Sequence, residues 1–261
     1  MKIKTDKLFI KNRKNQNVCV LVEIPAKPAG LAFVMHGLGG FKEKSTTATQ
    51  ARALLDNNYI TVRFDTTNTL GESDGDFSEA TTTNYYEDLE DVIDWAAKQD
   101  WYQEPFILCG HSLGGICVAL YAEKFPEKIK ALASLATTIS GKLLFASRDP
   151  KDLAEWKKAG SKIYVSRAKP GVVKNFKWDF MEDILKYDIL ERADKLTMPV
   201  LLIVGELDRS ETLANQQLLL AHLPGEAKEL HVIKDAPHTW REPKHLEESY
   251  NIISQWLKSI R

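Results

Sequence analysis

Apolar residues along the chain fall in short runs separated by polar, turn-forming segments. β-Branched and aromatic residues concentrate at 7–11 (KLFIK), 18–24 (VCVLVEI), 31–35 (LAFVM), 60–64 (ITVRF), 106–109 (FILC), 131–135 (ALASL), 200–204 (VLLIV) and 229–233 (ELHVI), and each run reads as a strand. The later runs are apolar almost throughout. Strands covered on both faces look like that, so the pattern predicts a mainly parallel sheet with helices on both sides. The first two runs alternate more and predict an antiparallel hairpin at one edge. Between the strands the period changes to that of a helix. Tyr85, Leu89, Val92, Ile93 and Ala96 share one face, with Asn84 and Glu87 spaced as a capping pair. Leu246, Tyr250, Ile253, Trp256, Leu257 and Ile260 repeat in the same way near the C-terminus. Strand and helix alternate from residue 31 to the end, which predicts an α/β fold with right-handed crossovers.

One stretch breaks the alternation. Between the runs at 131–135 and 200–204, residues 137–192 are far longer than a normal crossover, and residues 138–180 carry ten Lys or Arg against four Asp or Glu. The expectation is a core made of residues 1–136 and 193–261, with 137–192 inserted as a lid over a pocket, because long ordered excursions in compact domains usually serve a function. A solvated excursion of two or three short elements is the plainer alternative.

Composition narrows the picture mainly by exclusion. With 261 residues, 44% of them hydrophobic, and a formal net charge of −1, the chain can bury a large core and gives no reason to expect a nucleic-acid partner. Cys19, Cys109 and Cys117 are an odd number without CxxC spacing, so neither a disulfide framework nor a zinc knuckle is expected. The N-terminal MKIKTDKLFIKNRKNQNV lacks the apolar core of a signal peptide, and no run is long enough to cross a bilayer. A soluble cytoplasmic protein with no membrane partner is the expectation. The histidines show no HExxH spacing, so no metal is expected.

The chemistry centres on Gly110-His111-Ser112-Leu113-Gly114. A strand precedes this G-x-S-x-G and a helix follows it, which is what a nucleophile elbow requires. The flanking glycines fit a strained turn on which side chains would collide with the neighbouring strand and helix. A serine hydroxyl needs a base to take its proton, and the base needs a carboxylate to hold its tautomer. His238 suits the first role, since it follows the run at 229–233. His231 lies inside that strand, His222 and His245 lie in helical segments, and His111 is the variable residue of the elbow. Asp208 suits the second role, just after the run at 200–204, with Glu206 as its close competitor. Ser112, Asp208 and His238 thus occur in the chain order Ser, Asp, His. Met35-His36-Gly37-Leu38-Gly39-Gly40 supplies a glycine-rich turn at another strand end, and the backbone N–H groups of Leu38 and Leu113 are the candidate oxyanion donors.

HGLGG, RFDTTNTLGESDGDFSE, GHSLGG, MPVLLIVGELD and APHTW, in this order and spacing, resemble the successive signatures of α/β-hydrolases. They are most similar to small bacterial carboxylesterases of the cinnamoyl and feruloyl esterase group, with monoacylglycerol-lipase-like relatives. The likeness runs from about residue 20 to the end. It implies an α/β-hydrolase fold with a mostly parallel eight-stranded sheet flanked by helices, a lid inserted after the sixth strand, and a cofactor-free mechanism. Ser112 takes the place of the nucleophile, Asp208 of the acid, His238 of the base, and Leu38 and Leu113 of the oxyanion donors. Two departures stand out. Arg209-Ser210-Glu211 follows the acid where Val-Pro is common, and NTLGESDG replaces a Gly-His-Gly, which bears on the pocket wall.

The expected activity is hydrolysis of small or aromatic acyl esters through an acyl-enzyme, with a small-molecule ester as partner and a homodimer left open. The alternatives are a monoacylglycerol lipase, lysophospholipase or thioesterase acting on longer acyl chains, and a non-catalytic hydrolase-fold binding protein. Tyr164, Trp156 and Trp178 in the inserted stretch and Trp240 beyond His238 are candidates for lining the pocket.

Overall fold

The computed structural model describes residues 3–166, 169 and 171–260. The chain opens with β1 (Ile3–Lys11) and β2 (Asn17–Pro25), the antiparallel edge hairpin that the alternating pattern predicts. It then runs through β3 (Gly30–Met35), α1 (Ser45–Asp56), β4 (Tyr59–Phe64), α2 (Thr82–Ala96), β5 (Phe106–His111), α3 (Leu113–Lys124) and β6 (Ile129–Leu135). The inserted stretch contributes α4 (Gly141–Ala146), α5 (Pro150–Ala159), β7 (Ser161–Val165), β8 (Val173–Lys177) and α6 (Asp179–Ile184). The core resumes with β9 (Val200–Gly205), α7 (Leu213–His222), β10 (Lys228–Ile233) and α8 (Pro243–Ser259).

Eight strands form one sheet in the order β1-β2-β4-β3-β5-β6-β9-β10, parallel from β4 onward. Both faces are covered. One core layer packs α1 and α8 through Ala51, Leu54, Ile253 and Leu257 against Val34, Ile107 and Ile203. The other packs α2, α3 and α7 through Leu89, Val118 and Leu219 against Phe33, Leu108 and Leu202. Strand side chains alternate between the two layers, so a central strand must be apolar at every position. β3, β5 and β9 are buried along their whole length.

Two local expectations need correction. α2 starts two residues before Asn84: Thr81 is the N-cap, and its hydroxyl accepts the Asn84 N–H at 3.0 Å. Glu87 therefore lies beyond the first turn and pairs with Lys14 at 2.6 Å instead. The inserted stretch is also richer than two or three elements. α5 shows why it orders: Asp149 caps the N–H groups of Lys151 and Asp152, Pro150 sits in the first turn, and Gly160 ends the helix at φ +73°. β7 and β8 form a separate two-stranded antiparallel sheet.

Candidate active site

The site lies where β3, β5, β9 and β10 end. Ser112 joins β5 to α3 at φ 54° and ψ −117°, a conformation that costs an L-residue of order 1–3 kcal/mol. Its surroundings hold it there. The Ser112 N–H donates to the Leu135 carbonyl at 2.9 Å, and the Ser112 carbonyl accepts the Gly115 N–H at 2.9 Å. A Cβ on Gly110 would lie 2.5 Å from the Gly114 carbonyl oxygen, and one on Gly114 would lie 2.5 Å from the His36 carbonyl oxygen. Both glycines are therefore required by close backbone approach, as the G-x-S-x-G pattern predicts.

Asp208 follows β9 and is buried. Its Oδ1 accepts the N–H groups of Ser210 (2.8 Å) and Glu211 (2.9 Å), leaving Oδ2 for His238. Arg209-Ser210-Glu211 therefore forms a tight turn around the acid, and no Val-Pro is needed to hold it. Glu206, its competitor, points elsewhere: its Oε2 accepts the Asp235 N–H at 2.9 Å and fastens the loop after β10. That loop is also held by the Leu207 N–H on the Ala236 carbonyl at 2.9 Å.

These fastenings bring three side chains into line. His238 Nδ1 lies 2.8 Å from Asp208 Oδ2, and His238 Nε2 lies 3.0 Å from Ser112 Oγ. The carboxylate can only accept, so Nδ1 carries the proton and Nε2 is free to take one from the serine. The loop after β3 completes the edge. Fully buried His36 donates from Nδ1 to the Gly37 carbonyl at 2.8 Å and accepts the Thr66 N–H at Nε2 at 3.1 Å. Burial lowers its pKa, so the ring stays neutral and keeps that tautomer. Among the described residues the N–H groups of Leu38 and Leu113 have no protein acceptor, and that of Leu113 is a first-turn donor of α3.

Ser112 and His238 face a cavity of about 220 Å³. Leu144, Trp156, Phe180, Met181 and Ile184 make its apolar end, while Thr138, Glu211, Lys44 and Arg148 add polar groups. Tyr164 and Trp156 line it as the sequence suggests. Trp178 does not: it packs edge-on against Trp156 at 5.4 Å and donates Nε1–H to Glu182 at 2.8 Å. Trp240 is likewise no pocket residue. Its side chain is fully buried between the sheet and the α1–α8 layer, edge-on to His111 at 6.2 Å. The NTLGESDG loop departs from expectation too, since none of its residues is among the described lining of the cavity. At that loop fully buried Lys42 bonds Asp65 at 2.8 Å and Glu72 at 2.7 Å. Cys19, Asp65 and Glu72 bring potential metal-ligand atoms within 4.8 Å of one another, but Lys42, together with Lys7 on Glu72 at 2.8 Å, already supplies the countercharge.

Three residues near Ser112, Asp208 and His238 carry no sequence signal. His111 sends Nε2–H to the His238 carbonyl at 3.1 Å and fixes the backbone of that residue. Burial, reinforced by the adjacent His238, drives its pKa well down and keeps it neutral. Glu211 is buried beside Asp208 and accepts the Thr138 hydroxyl at 2.6 Å. Burial above all, with the Asp208 charge adding to it, raises its carboxyl to about 8. Lys44 is pushed down to about 8 by burial and by the positive charges of Arg241 and Lys174.

Comparison with known proteins agrees with this architecture. A family model described as serine aminopeptidase, S33, matches residues 26–171. The mouse protein named palmitoyl-protein thioesterase ABHD10, mitochondrial, is 28% identical over 148 residues, or 56% of this chain and 48% of that one. The cattle protein of that name is 36% identical over 80 residues, 31% of this chain and 24% of that one. The matches thus span about half or less of these curated relatives. Among solved structures, Est1E from Butyrivibrio proteoclasticus with ferulic acid bound superposes with a TM-score of 0.81 at 20% identity, covering 97% of this chain and 98% of that one. The mouse α/β-hydrolase domain-containing protein 10 gives 0.80 at 20% identity, covering 98% and 100%.

Proposed function

The chain belongs to the α/β-hydrolase family described as serine aminopeptidase, S33, and on that premise we propose that this serine hydrolase cleaves small or aromatic acyl esters. The observation that carries the proposal is the unbroken line from Asp208 Oδ2 through His238 to Ser112 Oγ, at 2.8 and 3.0 Å, opening on an apolar cavity. In this reading Ser112 Oγ attacks the ester carbonyl as His238 Nε2 takes its proton. Asp208 stabilises the imidazolium, and the N–H groups of Leu38 and Leu113 receive the developing oxyanion, each such donor lowering the barrier by about 3–4 kcal/mol. His238 then protonates the leaving oxygen, and a water activated by the same base hydrolyses the acyl-enzyme. Residues 137–192 act as the lid that supplies the cavity's aromatic wall.

The size of the cavity favours short or flat acyl groups. At about 220 Å³ it falls below the roughly 300–1,000 Å³ of most small-molecule sites. Peptide cleavage from a free amino terminus fits less well, because Lys44 and Arg148 face the cavity and Glu211, the one carboxyl among its described lining residues, is held neutral at pH 7. A thioesterase acting on longer acyl chains is the second reading, favoured by the sequence likeness to the mouse thioesterase.

The deciding experiment is a series of p-nitrophenyl esters from acetate to palmitate, with hydroxycinnamoyl esters alongside. The expected result is the highest kcat/KM on short or aromatic acyl groups. A rise with chain length overturns the choice and favours the thioesterase reading. The reading places the protein in a reducing compartment, supported by three buried free cysteines. No helix among the described residues is long and apolar enough to cross a membrane.

A further inference from the structure

The catalytic cavity adjoins a second chamber of about 370 Å³, and the two share Leu38, Lys44, Arg148, Tyr164, Phe176 and Thr239. Four cations, Lys44, Arg148, Lys174 and Arg241, line this chamber, and no Asp or Glu is among its described lining residues. Elsewhere lysines find carboxylates: Lys42 pairs with Asp65, Lys162 with Asp152, and Lys177 with Glu79. Among the described residues, the four chamber cations have no carboxylate within 4.0 Å. Three of them, Lys44, Lys174 and Arg241, feel one another's charge. Lys174 Nζ lies 4.7 Å from the Phe77 ring centre, and a Cβ on Gly39 would come within 3.0 Å of it. The charges of Arg241 and Lys174 both depress Lys44. Lys44 further occupies the N-cap of α1, whose first turn has no acidic residue and no side-chain cap, although a helix N-terminus disfavours a cation. Unpaired like charges gathered beside a helix N-terminus repel one another, and an anion relieves the repulsion.

We propose that this chamber is the leaving-group subsite and that it binds an anionic group, a carboxylate or a phosphate, carried on the alcohol or thiol part of the substrate. The inference rests on the esterase reading above. Its direction comes from His238, which protonates the leaving atom: Thr239 next to it lines both spaces, and Arg241, three residues on, lines the second chamber. The apolar end at Leu144, Phe180, Met181 and Ile184 remains for the acyl group.

Three butyryl esters test it, with 4-hydroxybenzoate, 4-hydroxyphenyl phosphate or neutral 4-hydroxybenzamide as leaving group, each rate normalised to alkaline hydrolysis. The expected kcat/KM favours the anionic esters by about tenfold at low salt, the order expected of two half-exposed ion pairs. The preference shrinks as salt is added, and the Lys174→Gln, Arg241→Gln double variant brings the ratio near one. The carboxylate and phosphate arms show which anion is preferred. Calorimetric binding of the same esters to Ser112→Ala reads the subsite without turnover. A ratio near one in the native protein, a ratio that survives both substitutions, or equal Kd values for charged and neutral esters overturns the subsite. Failure of the native protein to hydrolyse any of the three overturns the esterase reading instead, and the calorimetry still decides the subsite.

Discussion

At the carboxyl edge of the sheet the site groups are fixed by main-chain contacts, whereas the inserted stretch that walls the cavity is held by side chains. Ser112 is locked by backbone hydrogen bonds and two glycines that tolerate no Cβ. Asp208 is gripped by two amides, and His238 by the carbonyl bond from His111. The inserted stretch instead stacks aromatic rings: Trp156 on Phe176 at 5.0 Å and Phe176 on Phe180 at 4.7 Å. It leaves Ile163 74% and Val173 63% exposed on its hairpin. The difference separates two jobs. Main-chain fixing keeps reacting atoms within a few tenths of an ångström, and side-chain packing lets the pocket change without disturbing them.

The sharpest break in the comparison is Ser112→Ala. It removes the proposed nucleophile from a turn that the backbone alone maintains, so ester hydrolysis should fall by at least about 10³-fold while the melting temperature stays near that of the native protein. Full activity in this variant would end the triad assignment. Next in size is Gly114→Ala. Its Cβ would meet the His36 and Met35 carbonyls at 2.5 and 2.8 Å, and backbone cannot rotate aside as a side chain can. The expected cost is about 1–3 kcal/mol, seen in urea unfolding, together with lost activity as the loop carrying Leu38 is displaced. Gly160→Ala, where the inserted stretch turns at φ +73° with nothing within 4 Å, should cost only about 1 kcal/mol and spare activity. Equal losses in the two variants would erase the distinction.

The same division explains what the residues reveal before any coordinates. Ser112, its glycines, Asp208 and His238 are legible because strain and strand ends constrain residue type locally. The buried strands are legible because two-sided burial leaves no polar position in β3 or β9, and in β5 only His111 at its end. Glu211 and Lys44 look like ordinary surface charges in sequence. Their surroundings come from residues far along the chain: Glu211 is buried against Thr138, and half-buried Lys44 feels the charge of Arg241. Trp240 shows the converse: it stands two residues from the base yet turns into the core, because α8 must be sealed against the sheet. The cap of α2 is ambiguous in sequence for a simpler reason. Thr81 and Asn84 are both good capping residues, and only the entry of the chain chooses between them.

Glu211 tests whether the fixed edge also sets a pH limit. Its carboxyl titrates near 8 in the fold because burial, and then Asp208, disfavours the charge, and near the ordinary 4.5 when unfolded. The native state therefore holds one more proton than the unfolded state between these values. Stability from this group is fully present below the lower value and is lost as pH rises through the higher, at up to about 1.4 kcal/mol per pH unit. Glu211→Gln keeps a neutral group of similar shape and should flatten the decline in urea stability between pH 5 and 8. An unchanged slope in that variant would mean that Glu211 is ionised in the fold.

The smallest effect belongs to the exposed hairpin. Ile163 in β7 is 74% exposed, so exchanging it for serine removes little buried apolar area, and surface changes of this kind usually stay within about 0.5 kcal/mol. Ile163→Ser should leave both urea stability and ester hydrolysis close to native. The value of the measurement lies in its failure. A loss above about 2 kcal/mol that depends on protein concentration would mean that Ile163, Val165 and Val173 are covered in solution by a second copy of the chain. The hairpin would then be as firmly held as the catalytic edge, by a partner surface in place of the protein's own backbone.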